Sequence, residues 1–327
     1  MTPPTREHCA ALDAADPLSR LRDEFVLPRG VRYFLGNSLG PLPRRTVDRL
    51  EVVLRREWGV GLIRSWDEAG WFDLPTTLGS RLAPIVGADP SEILVTDSTS
   101  INTFKLVCAA AALRPDRHSI VTDAENFPTD LYMVHAAAQA MGGHAVRRVE
   151  DPTRILDALD FDVAVVELSH VDYRSAQLLP MAEITAQVHA VGALVVWDLA
   201  HSAGAVDVAL DLARADFAVG CTYKYLNGGP GSPAYLFVAA RHQEASRSPL
   251  PGWMGHARPF AFEPTYEAAP GIRRFARGSP PVLSYQALAA SLSLFEEVEL
   301  PELFEKSRAL SSLFLELLRP TGRVPLK

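Results

Sequence analysis

Two neighbouring stretches decide the fold. One is Ala193-Leu-Val-Val-Trp-Asp198-Leu-Ala-His201-Ser-Ala-Gly204. The other is Asp216-Phe-Ala-Val-Gly-Cys-Thr-Tyr223-Lys224-Tyr225-Leu-Asn227-Gly-Gly-Pro-Gly231. The apolar runs Ala193 to Trp197 and Phe217 to Gly220 are short and bounded by turn residues, as strands buried on both faces are. Each ends in a polar cluster. In an open α/β sheet the ligand crevice lies outside the carboxyl ends of the strands, so both clusters would face one crevice. Asp198 and Lys224 placed there suit a pyridoxal phosphate site. A lysine forms a Schiff base with that cofactor, and a carboxylate keeps its pyridine nitrogen protonated so that the ring accepts electrons. The pair alone does not settle the matter. An Asp after a strand is commonly a helix cap, and a Lys in a turn is commonly a solvated charge.

Working outward, 327 residues are enough for one large α/β domain with a smaller appendage, and an apolar share of 48% is ordinary for a chain that buries a large core. A net charge of −7 with no long basic run argues against nucleic acid as a partner. The three cysteines, Cys9, Cys108 and Cys221, are widely spaced, form no metal pattern, and suit a reducing cytoplasm. The N-terminal residues are polar and lack an apolar signal core, and no run of about 18 apolar residues is present to span a membrane.

Val31 to Leu35 is a strand candidate, followed by Gly36-Asn37-Ser38-Leu39-Gly40-Pro41-Leu42-Pro43. This contains a literal G-x-S-x-G. A nucleophile elbow passes straight from turn to helix, whereas Pro41 and Pro43 delay the helix to about Arg44, so a glycine-rich approach to a ligand or a structural loop fits better. Thr46 to Trp58 reads as an amphipathic helix with Val47, Leu50, Leu54 and Trp58 on one stripe. The aromatic stretch around Trp66, Trp71 and Phe72 fits either surface packing or a substrate pocket. Leu78, Leu82 and Ile85 mark another helix. Glu92 to Thr96 is a strand leading into Asp97-Ser-Thr99-Ser100-Ile-Asn102 and a helix to about Leu113. Hydroxyls there can cap the helix or hold a phosphate on its free N–H groups. His118 to Val121 and Phe161 to Leu168 are further strands, the latter closed by Ser169-His170. Between them Asn126-Phe127-Pro128-Thr129-Asp130 leads into a helix from about Leu131. Met181, Ile184 and Val188 give a helix, Ala234 to Val238 a strand, and Leu288, Leu292 and Phe295 start a helical tail. Strand–helix alternation over roughly residues 90 to 240 predicts a mostly parallel central sheet flanked by helices.

Taken together, Phe34-Leu-Gly-Asn-Ser-Leu-Gly40, Asp97-Ser-Thr-Ser-Ile-Asn102, Asn126-Phe-Pro-Thr-Asp130, Asp198-Leu-Ala-His201, Tyr223-Lys-Tyr-Leu-Asn227, Gly252-Trp-Met-Gly-His256 and Ser279-Pro-Pro281 resemble, in order, the signatures of the kynureninase family. The resemblance implies the type I fold of pyridoxal-phosphate-dependent transferases. It also implies three parts: an N-terminal segment over 1–45, a large cofactor-binding domain over 46–285, and the start of a small C-terminal domain over 286–327. It implies that Lys224 holds the cofactor covalently, Asp198 pairs with its ring nitrogen, and His201 sits beside Asp198. It places Thr99, Ser100, Tyr223, Trp253 and Ser279 at the phosphate, the last two across a homodimer interface. Phe127 would stack on the ring, with Asp130 and Ser169 near its substituents. The implied reaction, in the kynurenine pathway of tryptophan catabolism or NAD biosynthesis, is hydrolysis of kynurenine, or 3-hydroxykynurenine, to anthranilate, or its 3-hydroxy form, and alanine. Lys224 would move the α-proton, and Tyr223 would be the acid or base at the ketone. No metal is implied.

One departure stands out. Members of that family carry, in a full small domain, an arginine that grips the substrate carboxylate through a bidentate contact. No arginine here sits in that motif, and the context of Arg323 does not match it. The resemblance therefore implies a small domain cut short, through a fragment or a shifted reading frame, or a chain that binds cofactor without efficient turnover. Apolar surface would then be exposed over the Leu288 to Leu318 helices. A rival reading on the same fold is a class V aminotransferase or cysteine desulfurase, but Cys108 on a helix and Cys221 on a strand are poorly placed as a mobile nucleophile.

Overall fold

The computed structural model describes residues 4–322, so Arg323 lies outside the described residues. Arg6–Ala15 (α1) is capped by the Thr5 hydroxyl, which accepts the His8 N–H. Phe25–Val26 (β1) pairs antiparallel with Leu42–Pro43 (β2), and Arg44–Val52 (α2) follows at once. After Ser65–Glu68 (α3) and Leu74–Val86 (α4), Ile93–Val95 (β3) leads to Thr99–Ala112 (α5). Ser119–Asp123 (β4), Pro128–Ala140 (α6), Ala145–Val149 (β5), Val163–Ser169 (β6), Met181–Ala190 (α7) and Leu194–Asp198 (β7) then alternate. Phe217–Gly220 (β8), Tyr235–Val238 (β9), Ala240–Gln243 (α8), Val282–Phe295 (α9) and Leu300–Leu318 (α10) complete the chain.

Seven strands form one sheet in the order β3-β9-β8-β7-β6-β4-β5. Neighbours from β5 to β8 are parallel, while β9 runs antiparallel to both β8 and β3. Every residue of β4, β7, β8 and β9 is buried, and Leu194 to Trp197 of β7 with β8 and β9 accordingly read as continuous apolar runs rather than alternating ones. Two apolar clusters cover the faces. Leu78, Leu82, Ile184, Val188 and Leu288 pack with Trp197 on one side. Leu106, Val107, Val134 and Ala137 pack with Val165 and Val196 on the other. In register, Ser169 lies beside Asp198, and Asp198 beside Val219, so β6, β7 and β8 deliver their carboxyl ends to one rim.

Four expectations change. Val31 to Leu35 is not a strand. The N–H groups of Ser38 and Leu39 fold back onto the Leu35 carbonyl, and Phe34 is 80% exposed with no strand beside it. The helix expected over 46–58 is α2 followed by a π-helical segment, Val53–Gly61. Within α2 Thr46 is buried and Val47 exposed; in the π-helical segment Val53 is buried, while Leu54 and Trp58 are exposed. The helix expected from Leu131 begins at Pro128, whose ring suits the first turn. The expected exposure of the C-terminal helices is partial: Leu288, Leu292 and Phe304 are buried, whereas Leu310, Phe314, Leu315 and Leu317 are exposed.

Candidate active site

The strand ends converge on a cavity of about 390 Å³, lined by Asn37, Ser38, Thr99, Ser100, Phe127, Thr129, Asp130, Ser169, Tyr173, Asp198, Ala200, His201, Tyr223 and Lys224. Nine of the residues singled out in the sequence are thus brought together. Trp253 and Ser279 are not among them. Trp253 packs against Phe72 and Phe260 at ring distances of 6.5 and 6.0 Å, and Ser279 is exposed. Asn37, Ser38, Thr129, Tyr173 and Ala200 carried no assigned role from sequence. Of these, Tyr173 meets Phe127 edge-on at 5.2 Å.

Asp198 ends β7 and is buried. One carboxylate oxygen accepts the Ala200 N–H at 2.9 Å, and the other lies 3.4 Å from the Ser169 hydroxyl. Burial pushes its carboxyl up, against the Ala200 N–H and Lys224, which favour the ion. A cationic group beside it would offset that burial. Lys224 Nζ lies 3.0 Å from His201 Nε2. Burial, with Lys224 adding to it, pulls the His201 ring down to about 4, so the ring is neutral and its Nε2 can accept from the amine. Asp130 on α6 is buried and lines the cavity, and its carboxyl group has no hydrogen-bond partner among the described residues. Burial first, and then the Asp198 and Glu167 charges, raise it well above the usual carboxylate range.

The Lys224 turn is held by close backbone approach. Gly40 N–H donates to the Tyr223 carbonyl at 2.8 Å, and a Cβ on Gly40 would meet the Lys224 carbonyl at 2.3 Å. Glycine is needed here because it lets two backbones touch, which is the role of the G-x-S-x-G segment. Asn227 closes the turn with φ of 53°, a left-handed conformation that Asn tolerates.

At the start of α5 the Ser98 hydroxyl accepts the Ile101 N–H. The N–H groups of Thr99 and Ser100 fall in the first turn, which has no intrahelical acceptors, and their hydroxyls have no partner among the described residues. These groups form an anion cradle at the cavity edge. Sequence reasoning missed what braces it. Asp97, at φ of 53°, binds Lys105 Nζ at 2.9 Å and the Arg277 guanidinium at 2.6 Å, and Lys105 also donates to the Phe275 carbonyl at 2.6 Å. Lys105 is fully buried, and burial pulls its amine down against the Asp97 charge. A lone lysine inside the apolar run Phe104 to Ala112 was the available signal.

The residues present fit pyridoxal phosphate: an amine, a buried carboxylate, a flanking aromatic ring at Phe127 and an anion cradle border one cavity. None of the three cysteines lines that cavity. Burial pushes the thiols of both Cys108 and Cys221 up to about 11, far from the thiolate a desulfurase nucleophile needs.

Residues 75–326 match the family described as aminotransferase class V. The chain is 49% identical over 330 residues to a kynureninase of Burkholderia mallei (strain SAVP1), covering 99% of this chain and 79% of that protein. It is 48% identical over 318 residues to a kynureninase of Pseudomonas fluorescens, covering 96% of this chain and 76% of that protein. Among solved structures, C-DES in a mutant form with glycine covalently linked to its PLP cofactor superposes with a TM-score of 0.76 at 21% identity, over 87% of this chain and 76% of that one. The cysteine desulfurase CsdA from Escherichia coli does so with a TM-score of 0.74 at 18% identity, over 95% and 77%. At those identities the structures speak to fold alone. The sequence relatives and the family match go further: this chain belongs to the class V aminotransferase family, in the kynureninase branch of it.

Proposed function

We propose that this protein hydrolyses L-kynurenine to anthranilate and L-alanine, using pyridoxal phosphate. The observation that carries the reading is 49% identity to proteins named kynureninase across 99% of the chain. Bound pyridoxal phosphate supplies an electron sink that makes the α-proton of an amino acid removable and the bond to its γ-carbonyl breakable. Lys224 would hold the cofactor and, once displaced by the substrate amine, take and return the proton at Cα. Asp198 would pair with the ring nitrogen, with His201 accepting from Lys224 to orient its amine. Thr99, Ser100 and Tyr223 would hold the phosphate, Phe127 would lie against the ring, and Asp130 and Ser169 would border its substituents. Tyr223 would serve the substrate ketone, to which water must add before the carbon–carbon bond breaks. The same chemistry admits 3-hydroxykynurenine.

We further propose a homodimer in which Trp253 and Ser279 reach the partner subunit's phosphate site. This reading is supported by their position outside the one-chain cavity and by the exposed apolar residues Phe34, Leu35, Ile63, Phe260 and Phe262. No helix of the described residues is long and apolar enough to cross a membrane. A cytoplasmic place in tryptophan breakdown is part of the same proposal.

The test is turnover of kynurenine by the purified, cofactor-loaded protein, followed by anthranilate fluorescence, with Lys224→Ala alongside. Anthranilate that falls by about 10²–10⁴-fold or more in the variant is expected. A loaded wild-type protein that makes no anthranilate would remove kynurenine as the substrate and leave the cofactor site standing.

A further inference from the structure

Glu167 lies two residues before Ser169 on β6, so strand alternation puts both on the face of the sheet that carries Asp198 and Thr122. It is fully buried in an otherwise apolar strand. Its carboxylate accepts the Thr122 hydroxyl at 2.8 Å and the Asn126 amide N–H at 3.0 Å. The other end of that amide, Asn126 Oδ1, accepts the Ser169 hydroxyl at 2.8 Å and the Phe127 N–H at 2.8 Å. Ser169 in turn lies 3.4 Å from Asp198. A continuous polar line therefore runs from Thr122 through Glu167, Asn126 and Ser169 to the cavity floor.

Two features make this line directional. A side-chain amide has one donor end and one acceptor end, and an ionised Glu167 can take only the donor end. A serine hydroxyl has a single hydrogen. With Asn126 Oδ1 presented at the shorter distance, Ser169 gives that hydrogen to Asn126 and leaves Asp198 without it, with the Ala200 N–H still donating to its other oxygen.

We propose that Glu167 is a positioning residue for Asp198, whose ionisation, acting through Asn126 and Ser169, sets how much negative charge Asp198 presents to the pyridoxal ring. This rests on the assignment of the cavity as a pyridoxal phosphate site. Asp130, Glu167 and Asp198 are three buried carboxyl groups that feel one another's charge, so they cannot all ionise independently. The groups facing Glu167 are Asp123 and Thr122 from β4, Asp130 from α6, and Asp198 from β7. Lys105, the lysine of α5, is committed to Asp97. Burial pushes the Glu167 carboxyl up to about 8, ahead of the Thr122 and Asn126 hydrogen bonds that favour the ion, with Asp198 adding to the rise. A change in its charge thus falls within an enzyme's working range.

The experiment follows the visible absorbance of bound cofactor from about pH 6 to about 10 in wild type, Glu167→Gln and Thr122→Val. Wild type should show an inflection near pH 8. Glu167→Gln keeps the shape and should bind cofactor with that inflection lost. Thr122→Val removes a donor to the ionised carboxylate and should move the inflection up by about half to one pH unit. An unchanged titration in Glu167→Gln overturns the proposal. Should that variant fail to fold, an inflection unmoved in Thr122→Val overturns it equally. Loss of kynurenine turnover with these titrations intact would count against the substrate alone, and absence of any cofactor absorbance would count against the site.

Discussion

Tyr223 precedes Lys224 directly, and its hydroxyl is pushed up to about 12 by burial first, then by Cys221 and by the Asp198 and Asp130 carboxyl groups. Raised in this way, the hydroxyl suits the proposed role of proton donor better than that of base. A donor is what a ketone needs as water adds and the carbon–carbon bond breaks. Tyr223→Phe should therefore retain cofactor absorbance but lose about 10²–10⁴-fold in kcat for anthranilate formation. A phenylalanine variant with wild-type kcat would leave that step to another group. The sequence left open whether Tyr223 is acid or base, because the answer depends on carboxyl groups, Asp198 and Asp130, that lie far from it in the chain and that only the fold brings together. Lys224 and Asp198 were legible because residue type and strand-end position both pointed to them. Glu167 was not, since an acid inside Val163 to Leu168 offers no spacing to read.

At the scale of elements, Asp216 joins four of them. One oxygen takes the His189 ring of α7 at 2.8 Å and the Val195 N–H of β7 at 2.9 Å. The other takes Arg241 at 2.7 Å and His242 at 2.8 Å, both on α8, and Asp216 itself sits directly before β8. Burial alone would raise this carboxyl. The His189, His242 and Val195 hydrogen bonds outweigh it and hold the group well below the usual range. A depressed folded value stabilises the protein above the unfolded value, near about 4, and that stabilisation is lost as pH falls below it. Asp216→Asn should cost about 2–4 kcal/mol in urea unfolding at neutral pH, with the gap to wild type narrowing below about pH 4. A gap that stays constant down to about pH 3 would assign the stabilisation to hydrogen-bond shape rather than charge. The buried strands on either side of Asp216 were the most legible elements, since β7 and β8 are uninterrupted apolar runs. The edge strand β5 was passed over because Arg147 and Arg148 break both the run and the alternation. The π-helical segment after α2 was invisible because its apolar residues still recur at α-helical spacing, yet of them Val53 is buried while Leu54, Trp58 and Val60 are exposed.

At the scale of the whole molecule, one chain leaves the proposed phosphate end of its cavity to Thr99 and Ser100, next to the Asp97–Arg277 pair. Ser279 follows Arg277 by two residues yet is exposed, and Trp253 sits against Phe72 and Phe260. The apolar residues of the 34–35 and 62–63 segments are also left outside, which is why the sequence could name these positions without placing them. A second copy of the chain would account for both facts if each subunit completes the other's site. Subunit mixing separates this from a site built within one chain. Lys224→Ala removes the amine, and Ser279→Asp places a carboxylate where a phosphate needs a donor. Each variant alone should be inactive. In a mixed dimer, the site with Lys224 from one subunit would meet the intact Ser279 of the other, while the second site would carry both changes. Random pairing makes about half of the dimers mixed, so co-refolded protein should regain about a quarter of wild-type activity. Two different affinity tags purify the mixed dimer and raise that to about half. Mixed dimers with no activity would place Ser279 in its own subunit's site, and full activity in Ser279→Asp alone would remove it from the phosphate site.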